Sequence, residues 1–350
     1  MSISATIVLA PSFPRDAGTP EALCLSPGTD GTIGGRPVVC IELLGNRVLD
    51  CVVQNLQRTG VKSVTVVAPE EFCLSQPANY PARMEPVPEG TDPWSPAELS
   101  VREAVGHGFE RVLLYRLGAY VELDYADLVR SHCAAKHGLT AAEDTSGDLD
   151  IWVINARLVA DSPAAGLTAL LDMPGAARYF SRAYSNRLKN ALDARKLVVD
   201  ALEARCNFVP VGREVKPGVW VDHGVRLHRE ARIDAPAYLG RSTTLRSQAV
   251  IGPCSSVEHG CDVGEGTIVE NASVMANTYL GRGLHVSEAM VDGRNLIALR
   301  HGTVVEIEDR QLLGRTSAET LSLPITAASR KTSLAERLLE LKLSPNLKQA

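Results

Sequence analysis

The sequence predicts an α/β domain with a mostly parallel sheet over residues 1–210, a wound stack of short parallel strands over 211–312, and a tail with an amphipathic helix over 313–350. Three observations carry this. The chain has 350 residues, more than one hydrophobic core usually organises. Strand-like apolar runs alternate with helical patterns through the first half. In the second half an aliphatic residue returns at every sixth position.

In the first half the strand-like runs are Ala5–Ala10, Val64–Ala68, Val112–Leu117 and Ile151–Asn155. Helix signals fall between them. Asn46 stands as an N-cap before an apolar face of Val48, Leu49, Val52, Val53 and Leu56, and Gly60 ends that helix. Ser95-Pro96-Ala97-Glu98 has the form of a capping box with proline at the first helical position. Asp124 with Asp127 opens a third helix that stops at Gly138, and a long helical stretch from Ser185 to about Cys206 leads to the repeat. Leu188, Leu192, Val199 and Leu202 are its expected core contacts. In the tail, Ser333 and Glu336 form a second capping box before Leu338, Leu339, Leu341 and Leu343, a helix that docks on its own domain or on a partner.

The repeat runs Val221, Leu227, Ile233, Leu239, Leu245, Ile251, Val257, Val263, Val269 and Met275, each six residues after the last. The fourth residue after each is mostly small, as in Ala231, Ala237, Ala249, Ser255 and Ser273. A chain that winds short flat strands around a triangular prism needs this: aliphatic side chains stacked in columns and small residues at the tight corners. With three hexads to a coil, residues eighteen apart stack, so His223, Arg241, His259 and Asn277 form one column along an edge. The column reads either as a base or anion-binding ridge or as a row of exposed turn residues.

Charge and composition narrow the function. With 36 Lys and Arg against 41 Asp and Glu, a net charge of -5 and basic residues scattered, the chain lacks the cationic face that a nucleic-acid backbone requires. A local basic site stays open. The eight cysteines show no CxxC pairing and sit mostly in apolar segments, as buried thiols of a reducing compartment do. No positive flank precedes the apolar run in MSISATIVLAPSFPRD, and no stretch is long enough to span a bilayer, so the expected place is the cytoplasm.

Several segments carry a family resemblance. They are GNRVLDCVVQNLQRTGVKSVTVVAP from Gly45, RVLLYRLGAYVELDYADLVRSHCAAKHGLT from Arg111, YFSRAYSNRLKNALDARKLVVDAL from Tyr179, and PGVWVDHGVRLHREARIDAPAYLGRSTTLRSQAVIG from Pro217. Together they resemble the sugar-nucleotide pyrophosphorylases, in particular mannose-1-phosphate guanylyltransferase-like members with a C-terminal left-handed β-helix of hexapeptide repeats. The resemblance implies a Rossmann-like nucleotidyltransferase domain followed by that β-helix. Hexapeptide prisms also carry acyltransferases, so the repeat specifies fold and not reaction.

Nucleotidyl transfer needs positioned positive charge around the phosphates. The family's glycine-rich phosphate loop falls at APSFPRDAGTP, from Ala10 to Pro20, where three prolines replace tight glycine turns and N–H donors. The first lysine of the chain is Lys62, so only Arg15 or Arg36 offers charge there. The glycine-rich GTDGTIGGRP, Gly28 to Pro37, reads better as a turn than as a phosphate loop. By the resemblance, Ala119 stands at the first magnesium-binding aspartate and Arg182 at the second. Glu122 and Asp124 are the substitutes at hand, with Asp124 already explained as a helix cap. Only AAEDTSGDLD occupies the place of the family's sugar-binding lobe.

The expectation is a degenerate nucleotidyltransferase-like protein, a pseudoenzyme of bacterial surface-polysaccharide metabolism, with no catalytic residue and no metal ligand. Arg15, Arg36 and Arg182 are its candidate substrate-binding residues, for a nucleotide or nucleotide-sugar. Homo-oligomerisation through the β-helix and a polysaccharide-synthesis partner are its expected associations. Two alternatives stand beside it: an active enzyme with an unusual site, for which alone Mg²⁺ is implied, and an acyltransferase using His223 or His259.

Overall fold

The structure, a computed structural model, describes residues 2–9, 32–33, 36–88, 90–135, 137–162 and 166–316. The chain divides into two compact units, Met1–Leu23 with Val48–Leu188, and Cys24–Arg47 with Lys189–Ala350. The division after Leu188 lies ahead of the expected boundary at residue 210. Helix Ala191–Leu202 belongs with the second unit because its buried Arg195 donates to the Cys254 carbonyl and, at 3.0 Å, to Asn271 Oδ1. The segment ending at Arg47 joins the same unit, where the Val211 N–H donates to the Leu44 carbonyl at 2.9 Å.

The first unit is a mixed α/β structure on a seven-stranded sheet. Its order across the sheet is Ala177–Phe180, Leu139–Asp144, Gly147–Asn155, Arg111–Arg116, Ile3–Val8, Ser63–Pro69 and Arg83–Val87. Gly147–Asn155 runs antiparallel to both neighbours, and the other pairings are parallel. The central strands are buried along almost their whole length, which is why they read as unbroken apolar runs. The three strands that the pattern did not mark are less apolar: RMEPV and ARYF lie at the two edges, and LTAAED is rich in small residues. The Leu139–Asp144 and Gly147–Asn155 pair is a hairpin, so AAEDTSGDLD supplies the facing ends of two strands of the sheet and the two-residue turn at Thr145–Ser146.

Helix Val48–Arg58 buries the five predicted apolar residues, and Gly60, at φ +90°, follows its end. The helix begins at Val48, and the Asn46 amide donates to the Val209 carbonyl at 3.0 Å within the second unit. Helix Trp94–Gly106 begins before the expected capping box. Asp92 accepts from the Trp94 N–H at 3.2 Å, while Glu98 accepts from the Leu167 N–H and from Arg102. Asp124 caps helix Tyr125–Ala135 as expected, accepting from the Asp127 N–H at 3.0 Å. His132 of that helix is buried with Nδ1 2.8 Å from Thr140 Oγ1; burial, then Arg111 nearby, pushes its pKa down to about 4, so it is a neutral core residue.

The expected helix from Ser185 is shorter than its pattern. Ser185–Asn186 pairs with Tyr120–Val121 as strand, and Asn190 then caps the helix by accepting from the Asp193 N–H. Leu188 and Leu202 are buried, Val199 is half-buried, and Leu192 is 57% exposed on the outer face.

In the second unit the short strands form three sheets. Val219–Val221 pairs with Ala237–Leu239 and that strand with Ser255–Val257; Arg226–Leu227 with Thr244–Leu245; Arg232–Ile233 with Val250–Ile251, all parallel. Each turn of chain visits the three sheets once, which is compatible with the expected β-helix. The columns are Val221, Leu239, Val257; Leu227, Leu245, Val263; and Ile233, Ile251, Val269, all buried. Corner residues Ala231, Ala237, Thr243, Ala249 and Ser255 have no exposed surface.

The tenth hexad is corrected. Val257 pairs with Val274, Val263 with Leu280 and Val269 with Val286, so the coil loses one residue after Val269 and Met275 is not in the column. Beyond Asp292 the strands Asn295–Ala298 and Thr303–Glu306 fold back antiparallel, and Leu313–Arg315 closes antiparallel on Thr278–Leu280. Among the described residues no helix is long and apolar enough to cross a membrane.

Candidate functional site

Ligands of open α/β sheets bind beyond the carboxyl ends of the parallel strands. In the first unit this region holds Ala119, 5% exposed, whose carbonyl accepts from the Tyr115 hydroxyl at 3.2 Å. Burial pushes the Tyr115 phenol well above its ordinary range, so it donates and does not ionise. The Ala119 side chain is a methyl group and offers no ligand to a divalent cation.

The carboxylates that do stand nearby are held by arginines. Arg116, at the end of its strand, donates to Asp150 Oδ2 through Nε at 3.0 Å and again through Nη2. Burial raises the Asp150 pKa against the pull of Arg116. Asp150 sits at φ +58°, turned there by its own N–H bonding Asp148 Oδ1 at 2.9 Å. Arg187 donates to Asp144 Oδ1 at 2.7 Å, Ser185 to Asp144 Oδ2 at 2.7 Å, and the Ser146 N–H to Oδ1 at 2.7 Å. Burial pushes Asp144 up, but those donors outweigh it and leave the group below its ordinary value. Four lone-pair directions of that carboxylate are thus largely taken. Among the described residues no three His, Cys, Asp or Glu side chains come together as a cation site.

Of the predicted substitutes, Glu122 accepts from the Tyr120 hydroxyl at 3.2 Å and Asp124 caps its helix. Arg182 is exposed and, among the described residues, has no charged or hydrogen-bonding partner. The arginine that meets a carboxylate is Arg187, five residues on, which the sequence reading passed over. Arg36 belongs to the second unit, where it donates to Asp292 at 3.1 Å. Arg15 lies outside the described residues, as do the Ser333–Glu336 capping box and all of the glycine-rich stretch but Thr32–Ile33 and Arg36–Pro37, which pair antiparallel. Of the three expected substrate-binding arginines, Arg182 thus belongs to the first unit and Arg36 to the second.

In the second unit the predicted histidine column is partly built. His223 pairs with Asp222 at 2.8 Å on the surface. His259 Nδ1 meets Glu42 Oε2 at 2.5 Å, and Arg241 lies 3.5 Å from Glu42 Oε1. Burial pushes Glu42 up, yet the His259 hydrogen bond and the charges of His259, Arg241 and Arg47 hold it below the ordinary range. Asn277 does not continue the column. Gly224, Ser242, Gly260 and Asn277 share positive φ angles of 71, 57, 68 and 56°, so the one-residue slip puts Asn277 level with Gly260. Its amide still reaches to 3.4 Å from His259 Nε2.

Beside this column Glu258, 1% exposed, accepts from the Leu44 N–H at 2.7 Å and the Gly45 N–H at 3.0 Å. The segment carrying Glu42 is thereby pinned against the strands, and with it the His259 partner. Sequence periodicity gave no hint of Glu42 or Glu258, since neither shares a hexad position with its partner.

No protein-family model matches this chain, and neither does any curated protein sequence. Among solved structures, HddC from Yersinia pseudotuberculosis, crystallised with GMP-PN, is 12% identical; the match covers 56% of this chain and 97% of HddC, with a TM-score of 0.39. A likeness at that level carries no functional argument, and the chemistry rests on the residues above.

Proposed function

We propose that the chain is a nucleotidyltransferase-like protein that has kept its fold and lost nucleotidyl transfer, serving as an assembly or regulatory subunit. One observation carries this reading: at the strand ends where a metal and phosphates would be held, Ala119 is a buried methyl and the nearby Asp144 and Asp150 are occupied by Arg187 and Arg116. Magnesium needs free carboxylate oxygens, and these are committed to guanidinium and backbone donors. The residues present do not fit a two-carboxylate magnesium centre, so no step runs through one.

The pathway, nucleotide-sugar and bacterial surface-polysaccharide metabolism, comes from the segment resemblance, as does the left-handed winding of the second unit; the cytoplasmic place rests on the cysteine pattern and the N-terminal segment, and homo-oligomerisation on the flat faces and open edge of a coiled prism. A nucleotide or nucleotide-sugar remains its ligand class. Thermal unfolding in GTP tests the metal part. Adding about 10 mM magnesium in place of EDTA, at matched ionic strength, is expected to leave the melting temperature unchanged within about a degree. A site of ~1 mM affinity would add about 1.4 kcal/mol and raise it by a few degrees.

A second reading, acyl transfer with His259 or His223 as base, draws on the geometry at His259. A histidine fixed by a carboxylate at Nδ1 is how a general base is oriented. Its Nε2, however, faces Asn277 of the same unit. That reading requires saturable binding in a calorimetric titration with acetyl-coenzyme A; none is expected on the first.

A further inference from the structure

The second unit carries a basic concavity that neither the resemblance nor the histidine column involves. Arg246, Arg282, Arg294, Arg310 and Arg315 line it together with Tyr279, around an open volume of ≈ 890 Å³. Five guanidinium groups converging on one face stand out in a chain whose net charge is -5.

Their partners show how the cluster is built. Arg246 is fixed by a fork to buried Asp262, at 2.9 and 2.6 Å. Arg315 lies 2.6 Å from Asp292, a buried carboxylate that Arg36 also contacts. Arg294 pairs with Glu306. Arg282 and Arg310 are exposed and have no charged or hydrogen-bonding partner among the described residues. Neither Glu308 nor Asp309 lines the concavity, and Asp309 turns its carboxylate onto the Gln311 N–H at 2.8 Å. Lining arginines thus outnumber the carboxylates that pair with them.

The backbone is shaped to hold this arrangement. A Cβ at Gly281 would overlap the Gln311 carbonyl, and one at Gly293 would run into the Arg315 guanidinium. Glycine at both places lets the Arg310–Arg315 segment lie close on the strands. Like charges gathered so closely repel unless an anion screens them, and guanidinium forks match phosphoryl oxygens in pairs. The volume is that of a small-molecule site, and the Tyr279 ring gives it an apolar surface.

We propose that this concavity binds a small molecule bearing a diphosphate group, with Arg282 and Arg310 as its unneutralised contacts and Arg246 and Arg315 as its fixed ones. The site is independent of the strand-end region in the first unit.

Calorimetric titration of the full chain with inorganic pyrophosphate and with GDP tests it. Saturable binding of both is expected, weakened at least about tenfold in Arg282→Glu/Arg310→Glu and unchanged in Arg229→Glu, an exposed arginine outside the cluster. The double variant breaks no pairing seen among the described residues, and an unchanged melting temperature confirms that it folds. Absence of saturable binding by the parent chain, or undiminished binding by the double variant, overturns the proposal. So does binding of a single-stranded oligonucleotide without binding of pyrophosphate.

Discussion

Glu258→Leu is expected to destabilise the second unit by about 2–6 kcal/mol, because the Leu44 and Gly45 N–H groups would each lose a buried acceptor at about 1–3 kcal/mol apiece. Urea unfolding measures it. The pH dependence separates this carboxyl from a generic buried residue. Burial, helped by the nearby Glu42 charge and opposed by the two N–H donors, pushes Glu258 up to about 8, against an ordinary value near 4.5. The folded chain therefore holds a proton that the unfolded chain releases between those values. Stability from this group is full below about pH 4.5 and declines as pH rises toward 8. Glu258→Gln, which cannot titrate, should flatten the profile across that window. A profile identical in parent and Gln variant would show that Glu258 is ionised in the fold throughout.

The second large effect is in the columns. Leu245 is fully buried between Leu227 and Val263 of the neighbouring coils. Leu245→Ala removes two stacking contacts and leaves a void that hydrogen-bonded coils cannot close, a loss of about 2–5 kcal/mol. Leu192→Ala, on the exposed face of helix Ala191–Leu202, should change stability by no more than about 0.5 kcal/mol. Equal shifts in the urea midpoint for the two variants would contradict the column assignment.

These two leucines show how far the sequence could be read. The hexad period is a direct image of the coil, since one aliphatic residue must return at each face, and nine of the ten predicted positions are column residues. The tenth failed because a coil shortened by one residue keeps its packing with Val274 while the count moves past it. Leu192 was misplaced for another reason. Helical periodicity runs on from Ser185, but pairing with Tyr120–Val121 and the Asn190 cap override it before Ala191.

Ala119 is a single position that can be read from the sequence, whereas the Asp144–Arg187 pair joins residues 43 apart through a hairpin and a bridge. No spacing rule connects them. The same holds for His259 and Glu42, 217 residues apart. The five arginines of the basic concavity are scattered from Arg246 to Arg315 and converge only when the coils stack and the chain folds back. A flat charge distribution along the sequence concealed them.

A fold that persists without nucleotidyl transfer, as proposed, is tested directly by one assay. Purified protein is incubated with each nucleoside triphosphate, magnesium and a panel of sugar 1-phosphates, and pyrophosphate release is followed with a coupled phosphate readout. With Arg187 and Arg116 holding the carboxylates that a metal would need, release is expected to equal that of the enzyme-free blank. Sustained, protein-dependent release with any triphosphate and sugar 1-phosphate pair would contradict the account.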